Sequence, residues 1–83
     1  MKMNIELYAS LMPLLPPGNE RFRREISLDD EFTVQQLIDH LKIPPDQAHI
    51  VLINGNFVNV EDRSSHQLQA NDTMAVWPPV AGG

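Results

Sequence analysis

An α+β domain, a mixed sheet crossed on one face by a single main helix, is what this sequence predicts, and three observations predict it. Met3, Ile5 and Leu7 alternate with Asn4, Glu6 and Tyr8, Thr73–Trp77 forms a second β-rich run near the far end, and one segment, from Val34 to about Leu41, carries helical periodicity. With 83 residues the chain has room for one core and buries only about 60% of its unfolded surface.

Taken in order, the period-two run at the start is a half-buried strand. The stretch from Ala9 to Glu20 is punctuated by Pro13, Pro16 and Pro17, so a regular helix is not expected there; a single turn fits, with Leu11, Met12, Leu14 and Leu15 covering one end of the core. Pro17-Gly18-Asn19 marks a turn, and Phe22–Leu28 reads as a second strand with Ile26 and Leu28 inward, antiparallel to the first. In the helix, Val34, Leu37, Ile38 and Leu41 fall at i, i+3, i+4 and i+7. Thr33 and Gln36 have capping-box spacing, and the acidic Asp29, Asp30 and Glu31 precede them where the helix dipole favours negative charge. Pro44-Pro45 stops the helix. Ile50–Ile53 is a short unbroken apolar run, expected of a central strand covered on part of both faces. Asn54-Gly55 turns the chain into Asn56-Phe57-Val58, Leu68 is a lone apolar plug, and Asn71-Asp72 leads into the last strand. The economical packing for strand, strand, helix, strand, short strand, strand places the first and last strands side by side and parallel in the centre. That is a β-grasp over residues 1–77, with residues 78–83 expected as a flexible tail, a free extension of a central strand that makes few contacts with the domain.

Composition removes several functions. The chain has no cysteine, which excludes disulfides and thiolate chemistry, and its net charge of −5 opposes nucleic-acid binding. The start of the chain is neither a signal peptide nor a membrane span, so the expected location is the cytoplasm. His40, His49 and His66 share no metal-ligand spacing, and the acidic trio lacks the glycine and spacing of a calcium loop; no metal and no cofactor are expected. Arg21, Arg23 and Arg24 read as a solvated edge strand.

The ending is the sharpest signal. Pro78-Pro79-Val80-Ala81-Gly82-Gly83 carries no charge and closes on two of only four glycines in the chain. A glycine carboxylate on a slim tail suits a terminus that reacts inside another enzyme's active site: glycines pass a narrow channel without Cβ contacts, and prolines reduce the entropy lost on ordering. With Leu68, the Asn71-Asp72 turn, Thr73–Trp77, the helix opened by Thr33-Val34 and the Ile53-Asn54-Gly55 turn, the chain resembles the MoaD/ThiS family of ubiquitin-like sulfur carriers. Its length, its long first link and its Pro-Pro-Val-x-Gly-Gly ending resemble the molybdopterin-synthase small subunits most. It departs from the family in having Asn71-Asp72 for the common Gly-Asp, and a proline-rich 9–20 link where many of those subunits carry a helix.

The resemblance implies a co-substrate, not an enzyme. Gly83 would be adenylated by an ATP-dependent activating enzyme of the MoeB/ThiF type, converted to a thiocarboxylate, and would donate sulfur to a precursor on an acceptor such as the large synthase subunit. It also implies apolar docking positions at Tyr8, Phe57 and Trp77; a place in the core is the alternative for Phe57 and Trp77, and for Trp77 the strand alternation favours the face opposite Met74 and Val76. A carrier for thiamine or another thiolation pathway, and a ubiquitin-like protein modifier, use the same tail and stay open.

Overall fold

The structure is a computed structural model, and it describes residues 1–80. Five strands, β1 (Lys2–Leu7), β2 (Arg23–Ser27), β3 (Ile50–Ile53), β4 (Asn56–Phe57) and β5 (Thr73–Trp77), form one sheet in the order β2-β1-β5-β3-β4. β1 and β5 are parallel at its centre and every other pairing is antiparallel. Helix α1 (Val34–His40) follows β2. This is the expected ubiquitin-like β-grasp.

Alternation along the strands builds the core. Met3, Ile5 and Leu7 of β1, Val51 and Ile53 of β3, and Met74 and Val76 of β5 are buried together with Val34, Leu37 and Ile38 of α1. Each fully buried side chain of this size stabilises the fold by roughly 1.5–3 kcal/mol before entropy is subtracted. Leu68 plugs the rim, its amide donating to the Phe32 carbonyl at 2.9 Å. The helix opens on the expected capping box: Gln36 N donates to Thr33 Oγ1 at 3.1 Å and Thr33 N to Gln36 Oε1 at 2.8 Å.

Four details go beyond the sequence reading. β2 is shorter than Phe22–Leu28, because its ends leave the ladder while keeping single bonds: Leu7 N donates to Phe22 O at 2.9 Å and Leu28 N to Met1 O at 2.8 Å. The 9–20 link holds a six-residue 3-10 helix, Ala9–Leu14, with Pro13 inside it. At its two ends Leu11 N donates to Tyr8 O at 3.0 Å and Leu15 N to Met12 O at 3.1 Å. Arg24 is not a solvated edge residue; its guanidinium donates to the carbonyls of Pro16, Gly18, Glu20 and Arg23 and so fastens the link to β2. Arg63 is buried, donating to Ala48 O at 2.8 Å and His49 O at 3.3 Å, and burial pulls its pKa below the usual guanidinium value. It fixes the chain entering β3.

Candidate functional site: the open sheet face and the root of the tail

The sheet face away from α1 is formed by the other half of each alternation. Register places Leu52 between Phe57 and Ala75, and Ala75 beside Glu6, which in turn faces Arg23. The next row pairs Ile50 with Trp77. The apolar run of β3 is therefore unbroken because it has two different tasks: Val51 and Ile53 fill the core, while Ile50, 38% exposed, and the half-buried Leu52 surface the open face.

Trp77 lies on that face, as the alternation with Met74 and Val76 predicts. It is half-buried, its ring stacked on Tyr8 with centroids 4.4 Å apart and planes within 1°. Phe22 covers the other side of Tyr8 at 5.0 Å, and the Arg21 guanidinium sits 5.1 Å from the Phe22 centroid. Tyr8 also donates its hydroxyl to Glu6 Oε1 at 2.9 Å, and Glu6 Oε2 pairs with Arg23 Nη1 at 2.6 Å. Desolvation, then the hydrogen bond and charge of Glu6, raise the Tyr8 pKa above its ordinary value, against a smaller opposing effect of Arg23. Phe57 is 56% exposed and stacks on no other ring among the described residues.

The tail leaves from the same place. His49 N donates to Trp77 O at 3.1 Å, the last backbone bond before the prolines. Pro78 is half-buried, Pro79 and Val80 are exposed, and Pro78 and Val80 join His49, Ile50, Leu52 and Trp77 around a groove of about 360 Å³. Pro78 thus meets the sheet, while Val80 at 82% exposure makes little contact with the domain. Ala81, Gly82 and Gly83, the reactive end expected from sequence, lie outside the described residues.

Sequence reasoning placed Tyr8, Phe57, Trp77 and the tail, and the structure brings Tyr8, Trp77, Pro78 and Val80 to one end of one face. Phe57 lies along the same face, next to Leu52. The sequence reading missed Phe22, whose position one residue before the β2 ladder has no periodic signature, and it missed the outer half of Ile50–Ile53, whose unbroken hydropathy was the available clue. The histidines are dispersed: His40 meets Phe32 edge-on at 5.4 Å and His49 borders the groove. No group of three or more potential metal-ligating side chains occurs among the described residues, and none of their helices is long and apolar enough to cross a membrane. What the face offers is partly exposed apolar surface beside the root of the tail. Its polar cluster of Tyr8, Glu6 and Arg23 is internally paired.

Comparison with known proteins agrees with this geometry. The ThiS family model matches residues 5–83. Small archaeal modifier protein 1 of Haloferax volcanii superposes with a TM-score of 0.65 at 21% identity, over 95% of this chain and 98% of that one. A putative molybdopterin converting factor subunit 1 from Pyrococcus furiosus gives 0.65 at 20% identity over the same shares. A complex of subunits 1 and 2 of molybdopterin-converting factor from Helicobacter pylori contains a chain that gives 0.58 at 15% identity, with both chains fully covered. At these identities the likeness is one of fold. A search of curated proteins finds no match.

Proposed function

The chain belongs to the ThiS family, and from that premise we propose that it is a sulfur carrier whose Gly83 carboxylate is activated and thiolated on a partner enzyme. The observation that carries the reading is continuity: central strand β5 runs through Trp77 directly into Pro78, Pro79 and Val80, beside an apolar groove, and the sequence then closes on Ala81-Gly82-Gly83. The carboxylate attacks the α-phosphorus of ATP on an activating enzyme of the MoeB/ThiF type, releasing pyrophosphate. Hydrosulfide supplied on the partner then attacks the acyl carbon, the bond to AMP breaks, and loss of the thioacid proton leaves a terminal thiocarboxylate. The carrier supplies the acyl group and the docking face; acid, base and nucleophile belong to the partner. The reaction is cytoplasmic.

Within the family, we assign the carrier to molybdopterin synthesis, with the large synthase subunit as sulfur acceptor. The Pro-Pro-Val-Ala-Gly-Gly ending and the long 9–20 link support this. A carrier for thiamine or another thiolation pathway and a ubiquitin-like protein modifier are the competing readings, since chains of all three descriptions share the fold. All depend on the same adenylate; the carriers differ in the acceptor of the sulfur and the modifier in the nucleophile that meets the adenylate.

Removal of Gly83, or addition of one residue after it, tests the mechanism. An extended residue moves the carboxylate by about 3.3–3.6 Å, and misplacement by 1 Å can cost about 100-fold in rate. ATP–pyrophosphate exchange with a cognate activating enzyme is expected to vanish for both variants while docking survives. Undiminished exchange by either, with trimming excluded, contradicts the mechanism.

A further inference from the structure

Tyr8 has an aromatic ring on each side. β1 lies between β2 and β5 in the sheet, so Phe22, just before β2, and Trp77, at the end of β5, flank the Tyr8 ring from opposite directions. Its hydroxyl is committed to Glu6, which Arg23 holds in place. A side chain with both ring faces and its polar tip already engaged has little left to offer a partner. Phe57, 56% exposed and unstacked among the described residues, is the opposite case.

Trp77, in contrast, is engaged by Tyr8 on one face only and borders the groove with Ile50, Leu52, Pro78 and Val80. We propose that Tyr8 is a positioning residue and not a docking contact: wedged between Phe22 and Trp77, it holds the Trp77 ring as a fixed wall of the groove beside the tail. The brace is a ladder across three chain segments, Trp77–Tyr8–Phe22, with Arg21 over its far end. Its value to binding is preorganisation, because a large side chain that is already immobile need not be ordered when the partner arrives. Ring contact, not the hydroxyl, performs this task, so phenylalanine suffices at position 8. The consequence for docking rests on the carrier reading above; the brace itself does not.

Trp77 is the only tryptophan, so its near-ultraviolet circular dichroism and fluorescence anisotropy report the brace directly. Tyr8→Leu is expected to lose the Trp77 dichroic band and lower its anisotropy, and Tyr8→Phe to preserve both, with far-ultraviolet spectra confirming the fold of each. A Trp77 signal unchanged in Tyr8→Leu overturns the brace, whatever else is found. The second arm measures KM for the carrier in ATP–pyrophosphate exchange, in a double-mutant cycle with Trp77→Ala. Tyr8→Leu is expected to raise KM by about 2- to 12-fold, the usual penalty for ordering one large side chain on binding. In the Trp77→Ala background the same change is expected to move KM less than 2-fold, since Tyr8 would act only through Trp77. Equal factors in both backgrounds would make Tyr8 a direct docking contact and overturn the assignment, as would an unchanged KM in the wild-type background. If the wild-type chain supports no exchange, the carrier reading fails, and the spectroscopic arm still decides the brace.

Discussion

Phe57→Ala separates docking from folding more cleanly than any other change on the open face. Phe57 sits on the two-residue strand β4 opposite Leu52, and 56% of it is exposed. Fully burying a phenylalanine is worth about 1.5–3 kcal/mol, and less than half of this one is covered, so truncation should destabilise the fold by about 0.7–1.3 kcal/mol. For a domain of this size that is a fall of roughly 4–8 °C in Tm per kcal/mol. A partner that covers the ring recovers the remaining surface, and a central aromatic anchor is worth about 2 kcal/mol or more, or about 30-fold in Kd. Urea unfolding and titration with the activating enzyme, on the same variant, give both numbers. A stability loss above about 2.5 kcal/mol, in the range of buried-aromatic truncations, would show Phe57 to be core. An affinity within about 2-fold of wild type would remove it from the docking face.

Three further outcomes follow from local geometry. Asn71 holds a φ of +71° while its amide donates to Lys2 O at 2.8 Å; Asn71→Ala should cost about 1 kcal/mol of left-handed strain, whereas Asn71→Gly should be neutral or stabilising, as calorimetry will show. Tyr8 is the sole tyrosine, and its raised pKa means the fold favours the neutral phenol. Its contribution is complete below the unfolded value of about 10 and is lost as pH rises through the folded pKa; denaturation across that range, with phenolate absorbance as the direct readout, should show the decline in wild type and its loss in Tyr8→Phe. Thr33→Val removes one half of the capping box and should lower stability by about 1 kcal/mol in urea unfolding.

The fold was legible because local and long-range signals agree. The Thr33–Gln36 capping box, the Val34–Leu41 stripe and the Asn54-Gly55 turn each specify one conformation, and the order of elements then leaves one economical packing. The side chains that act across distance were not legible. Arg24 binds four carbonyls of a link that only the β1–β2 pairing brings near, and Arg63 is buried by an entry to β3 that lies far from it in sequence. Arg24 reads in sequence as part of a solvated edge strand, and no sequence pattern singles out Arg63. The site was half legible for a related reason. Motif singled out Trp77 and the tail, and alternation gave the face of Trp77, but stacking with Phe22 depends on strand order and on where the β2 ladder starts, which no periodicity encodes. Ala9 is similar: its φ of +52° lets the chain turn sharply after Tyr8, in a residue with no turn signature of its own.

Intact mass spectrometry of the protein isolated from its native cell, under conditions that preserve thioacids, tests the central claim most directly. Replacing one carboxyl oxygen of Gly83 with sulfur adds about 16 Da to an otherwise unmodified chain, the product expected when an activated acyl donor meets a sulfur nucleophile. The account predicts that species, assigned by fragmentation to the last residue and lost when the activating enzyme is deleted. A chain found only as the free acid and as lysine-linked conjugates, with no terminal thioacid in any growth condition, would contradict the carrier assignment and favour the modifier.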